Sequence, residues 1–174
     1  MEKWDLYDVT RQKLGKTAYR GQILTDEEYH LAVDVWILND AGQVLLQQRS
    51  TKKKVGAGLW YCTGGAAIAG ENSQEACFRE TSEELGIKPN MNNARIVLQD
   101  TFGCCHKDVW LIHQNIAPEE LCLQPDEVDD VKWVDINQLE SEMDKPDFFW
   151  KLTYKDGILR CLKKAIEKGL MNNA

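Results

Sequence analysis

The most informative part of the chain reads Gly64-Gly-Ala-Ala-Ile-Ala-Gly-Glu-Asn-Ser-Gln-Glu-Ala-Cys-Phe-Arg-Glu-Thr-Ser-Glu-Glu-Leu-Gly-Ile87. Within it, Asn72 and Glu75 have the spacing of a capping box, which satisfies the first backbone N–H groups of a helix. Gly86 stands where a left-handed residue commonly ends a helix. These signals predict a helix from Ser73 to Leu85.

One side of this helix is unusually acidic. At about 100° per residue, Cys77, Phe78, Thr81 and Leu85 share a face that we expect to be buried, and Arg79, Glu80, Glu83 and Glu84 fall on the other side. Like charges three and four residues apart destabilise a helix by about 0.2–0.5 kcal/mol per pair. The helix dipole also disfavours anions in the C-terminal half. Helix stability therefore does not explain the glutamates, whereas Mg²⁺ or Mn²⁺ prefers such oxygen ligands.

The spacing of the whole segment is more specific than its acidity. The segment contains the pattern G-x5-E-x7-R-E-x-x-E-E-x-G. Its fixed positions are Gly65, Glu71, Arg79, Glu80, Glu83, Glu84 and Gly86. Seven fixed positions coincide by chance less than roughly once in 10⁸ placements. Residues Gly65 to Ile87 resemble the signature box of the Nudix hydrolases, G-x5-E-x7-R-E-U-x-E-E-x-G-U with U aliphatic. Thr81 departs from that pattern, on the face that we expect to be buried.

The resemblance implies a hydrolase that cleaves a nucleoside diphosphate linked to another group X. Water attacks one phosphorus of the diphosphate bridge, so the implied partner is a small diphosphate, first of all a nucleotide. The implied cofactor is Mg²⁺ or Mn²⁺, bound by Glu80, Glu83 and Glu84 with the Gly64 carbonyl as a further ligand. Glu83 is the favoured general base, and Glu80 and Arg79 complete the implied catalytic set. Glu71 and Arg79 are expected to orient the helix.

Candidate substrate-binding residues lie outside the box. Arg49 and the lysines at 52–54 concentrate positive charge in an acidic chain. Arg49, Lys53 and Lys54 are therefore interpreted as a clamp on the diphosphate, since guanidinium groups bind phosphate at two points. Glu127 is a candidate late carboxylate, acting as a ligand or a base. A solvated loop or turn remains the alternative for each of these residues.

The remaining chain predicts a single Nudix domain over residues 1–174. It divides into an N-terminal hairpin extension (1–28), a core (29–145, with the box at 65–87) and a C-terminal helix (146–174). Further strands are predicted at 29–38, 43–48, 94–101, 108–116 and 131–134, and further helices at 136–143 and 157–168. Interspersed strands and helices favour a mixed α/β domain. The resemblance implies a Nudix-type α/β/α sandwich around a mixed β-sheet.

The amino-acid composition restricts the partners and the cellular compartment that we expect for this protein. Among 174 residues, 21 Lys and Arg stand against 28 Asp and Glu, for a formal net charge of -7. Such an acidic chain is not expected to coat nucleic acid. No apolar run approaches the roughly 18 residues that a membrane span needs, and the six cysteines contain no C-x-x-C pair. We expect a cytoplasmic protein with reduced thiols, and the resemblance implies a possible homodimer.

Two other functions stay open. Four segments outside the box resemble the branch of the Nudix superfamily that is close to the isopentenyl-diphosphate isomerases. They are Trp4–Asp8, Tyr29–Val33, Gln48–Ser50 and Asp126–Trp133. An isomerase would use Cys62 as a displaced cysteine, because Gly64 and Ala66 stand where that family needs a cysteine and a histidine. Whether His30, His106 and Asp108 form a second metal site is left open. The other alternative is a catalytically silent nucleotide-binding regulator. Separately, Phe148-Phe149-Trp150 is a candidate base-stacking segment, and core packing before the last helix is the favoured alternative for it.

Overall fold

The computed structural model describes residues 1–149 and 153–167. Within these residues, nine strands form one mixed sheet. The strands are β1 (Lys3–Tyr7), β2 (Lys13–Tyr19), β3 (Tyr29–Leu38), β4 (Gln43–Arg49), β5 (Trp60–Tyr61), β6 (Thr63–Ala66), β7 (Ala94–Phe102), β8 (Cys105–His113) and β9 (Val128–Asp135). The α-helices of the described chain are α1 (Ser73–Leu85), α2 (Ile136–Met143) and α3 (Lys155–Glu167).

Strand β3 organises the sheet. One of its edges pairs in parallel with β8 from His30 to Leu38. Its other edge meets three antiparallel strands in succession, which are β1 at Tyr29, β6 at 32–35 and β4 at Ile37. The outer strands β2, β7 and β9 pair with β1, β8 and β4 respectively. Strand β6, which leads into the box, therefore lies between the N-terminal hairpin and β4.

Helices cover both faces of the sheet. On one face, Val33, Ile37 and Trp110 pack against the buried side of α1, which includes Cys77 and Leu85. On the other face the core contains Trp36, Leu38, Val109 and Leu111 with residues of α2 and α3, namely Ile136, Leu139, Met143, Ile158, Leu159, Leu162 and Ala165. The α/β/α sandwich around a mixed sheet is thus confirmed. No helix in the described ranges has the length and apolar character needed to span a membrane.

The box helix begins and ends where the local signals placed it. The Asn72 side chain accepts hydrogen bonds from the backbone of Gln74 and Glu75, and Gly86 adopts a left-handed conformation. The prediction for α2 is also confirmed. The predicted strand at 108–116 was misplaced, because β8 begins at Cys105 directly after a turn at Gly103. The predicted end of the last helix at Lys168, and Trp150, lie outside the described residues.

One prediction about the box helix was wrong. Glu80 and Glu84, assigned to the exposed side, are 8% and 4% exposed, whereas Phe78, assigned to the buried face, is 37% exposed. The helix contacts both the core and the neighbouring strand β6. The part of the helix that carries Glu80 and Glu84 is therefore covered by β6, where the sequence predicted no strand, while Glu83 stays exposed.

Candidate active site

Strand β6 and helix α1 place two carboxylates against bare backbone. A Cβ atom on Gly65 would collide with the carboxylate of Glu80, so the strand can approach this side chain only because it has glycine there. Glu84 Oε2 accepts hydrogen bonds from Gln47 Nε2 at 2.7 Å and from the Gly64 backbone N–H at 3.2 Å. The glycine pair explains how two glutamates become buried beside a strand.

Arg79 ties the box together. Its Nε and Nη2 donate to the two carboxylate oxygens of Glu71 at 2.7 and 3.0 Å, and Nη2 also donates to the Ala66 carbonyl at 3.0 Å. Nη1 donates to Glu80 at 2.9 Å and to Glu83 at 3.0 Å. Burial alone would lower the pKa of this guanidinium, but its hydrogen bonds to glutamates raise it instead. Arg79 therefore stays charged and fixes the orientation of its partners.

Burial disfavours the ionised form of Glu80 and Glu84. Burial raises the pKa of Glu84 to about 7, against the opposing effect of the hydrogen bond from Gln47. Burial also raises the pKa of Glu80, against the opposing charge of Arg79. Glu83 differs from both because its side chain is 55% exposed. Such perturbed carboxylates in a cleft are typical of functional sites.

A cleft of about 180 Å³ opens over these side chains. It is lined by Glu2, Arg20, Arg49, Lys53, Gly64, Gly65, Ala66, Arg79, Glu80, Glu83, Glu84, Gln124 and Glu127. The structure thus brings the predicted residues Arg49, Lys53 and Glu127 to the box glutamates, and Lys53 forms an ion pair with Glu127. Lys54 is exposed, and it is not among the described residues that line the cleft.

The donor chemistry of the cleft fits a hard divalent cation. The carboxylates of Glu80, Glu83 and Glu84 line it together with the backbone of Gly64, and all of these offer oxygen ligands. In the conformation described for residues 1–149 and 153–167, no three His, Cys, Asp or Glu side chains are grouped to hold a metal. Arg79 is bonded to two of the three predicted ligands. We expect metal binding to require the exposed Glu83 side chain to turn toward the other two.

The histidines considered for a second metal site are not brought together. His106 lies in register with Leu31, one residue along from His30, so the two histidines project to opposite faces of the sheet. The ring of His106 is bonded to the Asp8 carbonyl and to a threonine hydroxyl. Asp108 forms an ion pair with Arg11. His30 instead stacks on Trp4 with the ring centroids 4.3 Å apart.

Phe148 and Phe149 both pack on the core, but to different extents. Phe148 is buried in the core beside α2 and α3. Phe149 is only partly buried, and its ring centroid lies 5.9 Å from the guanidinium carbon of Arg49, which lines the cleft. A base-stacking role therefore remains a prediction for Phe149, while Phe148 has a packing role.

Sequence reasoning missed three residues at the site. Glu2 and Arg20 come from the N-terminal hairpin, and Gln124 comes from the loop before β9. The Gln124 backbone N–H donates to the Glu84 carbonyl at 3.1 Å, which fixes that loop to the end of the box helix. No local pattern marks these residues, because each reaches the cleft only through the pairing of distant segments.

The chain is similar to known proteins both in sequence and in fold. The NUDIX domain family model matches residues 28–153. The chain is 37% identical over 142 residues to an uncharacterised Nudix hydrolase of Listeria monocytogenes, covering 81% of this chain and 84% of that protein. It is 30% identical over 115 residues to an isopentenyl-diphosphate Delta-isomerase of Citrobacter koseri, covering 63% and 64%. The crystal structure of DR0079 from Deinococcus radiodurans superposes with a TM-score of 0.74 at 18% identity, covering 92% and 99%.

Proposed function

The chain belongs to the Nudix family and is a pyrophosphohydrolase, and on that premise we propose that it cleaves a nucleoside diphosphate linked to a second group X. Water attacks one phosphorus of the bridge, the bond from that phosphorus to the bridging oxygen breaks, and a nucleoside monophosphate and a phosphorylated X are released. Mg²⁺ or Mn²⁺ is the cofactor. The observation that best supports this function is that the box glutamates, Arg49 and Lys53 line one cleft. Carboxylates can bind the cation, and the basic side chains can bind the anionic substrate.

The residues of the cleft have different roles in the proposed reaction. When the metal binds, its ligands are the carboxylates of Glu80, Glu83 and Glu84 and the carbonyl of Gly64. A bound divalent cation supplies stabilisation of the charge that develops on the phosphate oxygens. Glu83 also accepts a proton from the attacking water, since its exposed carboxylate is the one best able to reach solvent. Arg79 orients Glu80 through a hydrogen bond, and it holds Glu83 in the same way until that side chain turns toward the metal.

The substrate is held on the β4 side of the cleft. Arg49 binds phosphate oxygens at two points and Lys53 adds a single charge. Lys53 exchanges its partner Glu127 for the substrate, which leaves the Glu127 carboxylate facing the cleft. Lys54 does not line the cleft in the described part of the chain, and no contact to the substrate is assigned to it. The cytoplasmic location, the domain boundaries and the homodimer remain predictions.

The lining of the cleft favours a polar substrate. Nine of the described lining residues are charged, and the largest apolar side chain among them is the methyl group of Ala66. An isoprenoid chain would gain little by leaving water for such a surface. Gly64 and Ala66 cannot supply the thiol and imidazole that the isomerases use. The displaced cysteine Cys62 is buried in the core with α2 and α3 and is not among the described residues that line the cleft. Hydrolysis of a polar diphosphate is therefore the better-supported reaction.

The test is a substrate panel on the full-length protein with Mg²⁺ or Mn²⁺. The panel contains nucleoside triphosphates, ADP-ribose, NADH, sugar nucleotides and isopentenyl diphosphate, and the products are resolved by ion-exchange chromatography. Reaction in ¹⁸O-labelled water shows which phosphorus receives the new oxygen. We expect metal-dependent cleavage of a diphosphate bridge that falls at least about 100-fold in Glu83→Gln. Isomerisation of isopentenyl diphosphate, without hydrolysis of any nucleotide, would refute the proposal.

A further inference from the structure

We propose that the N-terminal hairpin supplies a second substrate subsite, formed by Arg20 and Glu2, which binds group X beyond the diphosphate. The subsite selects a group rich in hydroxyl and other oxygen functions, such as a sugar. This inference rests on the proposed function, because it assigns the part of the substrate that the box does not touch.

The two residues are held together at the mouth of the hairpin. Arg20 directly follows β2, and its backbone N–H donates to the Glu2 carbonyl at 2.9 Å. Arg20 Nη1 also donates to Glu2 Oε2 at 2.9 Å. Both side chains line the same cleft as the box glutamates. The hairpin therefore forms part of the cleft wall.

The subsite lies at the opposite end of β6 from the proposed diphosphate clamp. At the start of β6, the Thr63 hydroxyl donates to Gln47 of β4 at 2.9 Å, two residues before Arg49. Beyond the end of β6, the Ala69 backbone N–H donates to the Lys3 carbonyl of the hairpin at 2.7 Å. Basic groups thus lie near both ends of β6, and the carboxylates of α1 line the same cleft. A diphosphate bound at those carboxylates with its nucleoside toward Arg49 would have its second substituent at the hairpin.

The chemistry of the pair defines what it binds. The guanidinium offers a planar fork of N–H donors, and the carboxylate next to it accepts hydrogen bonds from hydroxyl groups. The Arg20 side chain is 62% exposed, and an exposed ion pair contributes little to stability. Exchanging this pairing for contacts to a ligand therefore costs little. A group that both donates and accepts, as a sugar does, fits the pair better than an alkyl chain.

Family membership does not assign this subsite. The matched NUDIX model begins at residue 28, so both Glu2 and Arg20 lie outside it. The family box accounts for cleavage of the diphosphate. The hairpin is therefore the part of this chain that can distinguish one substituted diphosphate from another.

The experiment compares two substrates that differ only in X. ADP-ribose carries a sugar on its second phosphate, and the β-methyl ester of ADP carries a methyl group. Steady-state kinetics are measured for wild type, Arg20→Ala, Arg20→Lys and the control Lys16→Ala, which changes a hairpin residue that is paired with Glu28 outside the cleft. Thermal unfolding of each variant shows that the comparison concerns folded protein.

For Arg20→Ala we expect kcat/KM for ADP-ribose to fall at least about 10-fold, mainly through KM, as for loss of one charge-assisted contact. For the methyl ester the change should stay within about twofold, because that substrate does not reach the subsite. Lys16→Ala should behave as wild type. If Arg20→Ala fails to fold, Arg20→Lys takes its place, since it keeps the charge and loses the fork.

Three results would overturn the inference while leaving the proposed function standing. One is an equal loss on both substrates, which would place Arg20 at the diphosphate or the nucleoside. The second is no loss on ADP-ribose, and the third is a wild-type enzyme that hydrolyses other diphosphates but none that carries a sugar as X. Failure of the wild type to hydrolyse any nucleotide diphosphate would instead refute the proposed function, and the inference with it.

Discussion

Arg79 and Glu71 form a two-point ion pair, in which Nε donates to one carboxylate oxygen at 2.7 Å and Nη2 donates to the other at 3.0 Å. The same guanidinium continues to the carbonyl of Ala66 and to the carboxylates of Glu80 and Glu83. Glu71 therefore holds the arginine that orients the proposed catalytic residues, although it does not line the cleft itself. A bidentate pair gives this orientation geometric precision as well as energy.

Glu71→Gln should lower kcat by about 10- to 100-fold, the usual range for losing an outer partner of a metal site. The amide keeps the shape of the carboxylate and removes its charge, so Arg79 loses its anchor. Urea unfolding should show a loss of about 1–3 kcal/mol, since a part-buried charged group loses its partner. Glu140→Gln, on the exposed side of α2, serves as the control. An unchanged kcat would mean that Arg79 needs no anchor.

Gly65→Ala should yield a folded protein with little activity. The new methyl group displaces the carboxylate of Glu80, which is the movable end of a side chain. Gly64→Ala provides the contrast, because its methyl group meets the backbone carbonyl of Val33, which cannot move aside. We expect near-wild-type circular dichroism for the first variant and poor expression or a lowered Tm for the second. Full activity of Gly65→Ala would show that Glu80 can work from a displaced position.

Glu84→Gln should make the metal-free protein more stable and less active. Glu84 is 4% exposed and lies beside a second buried carboxylate. An amide oxygen can still accept from Gln47 and Gly64, while the buried charge disappears. We expect Tm to rise by about 2–4 °C, which corresponds to roughly 1 kcal/mol for a protein of this size. Scanning calorimetry in EDTA gives the measurement, and a lower Tm would contradict the expectation.

Lys53→Ala should raise KM by roughly 10-fold, since it removes one charged contact to the substrate phosphates. Lys54→Ala is the matched control, one residue away on the same loop but exposed outside the cleft lining. It should leave KM within about twofold of wild type. Steady-state kinetics on the best substrate of the panel distinguish the two. Equal effects of the two substitutions would indicate general loop charge rather than a clamp at Lys53.

His30 should make the protein less stable in acid. Burial lowers the pKa of His30 below its ordinary value of 6.5, with a smaller opposing effect from its backbone hydrogen bond and smaller effects from nearby Arg20 and Glu2. Below pH 6.5 the unfolded chain therefore binds more protons at this position than the folded chain does. The His30 contribution is intact above pH 6.5 and is lost as the pH falls toward the folded-state pKa.

The comparison between variants isolates this contribution. His30→Phe keeps a flat ring against Trp4 and cannot be protonated. Urea unfolding from pH 7.5 to 5.0 should show a smaller loss of stability in this variant than in wild type. His113→Gln, which changes a histidine paired with Asp40, serves as the control. Parallel pH profiles for wild type and His30→Phe would rule out His30 as the source.

Local signals were sufficient to predict the elements that depend on neighbouring residues. The capping box at Asn72 and the left-handed stop at Gly86 act within one helical turn, so they bound α1 without reference to the rest of the chain. The spacing of the box likewise placed Glu80, Glu83 and Glu84 on one side of a helix. The long run at 29–38, rich in Val, Trp, Ile and Leu, predicted the central strand with its observed bounds.

The environment of those residues was decided by the tertiary structure. Strand β6 is four residues of Thr, Gly, Gly and Ala with little strand propensity, and it exists because β3 pairs with it. Helical periodicity alone placed Glu80 and Glu84 on the side of α1 away from the core. The pairing of β6 with β3 buries both side chains, and burial raises their pKa values. The hairpin reaches the cleft for the same reason, since Glu2 and the box are separated by more than sixty residues. Capping and periodicity act over a few residues, whereas pairing between distant segments leaves no local pattern to read.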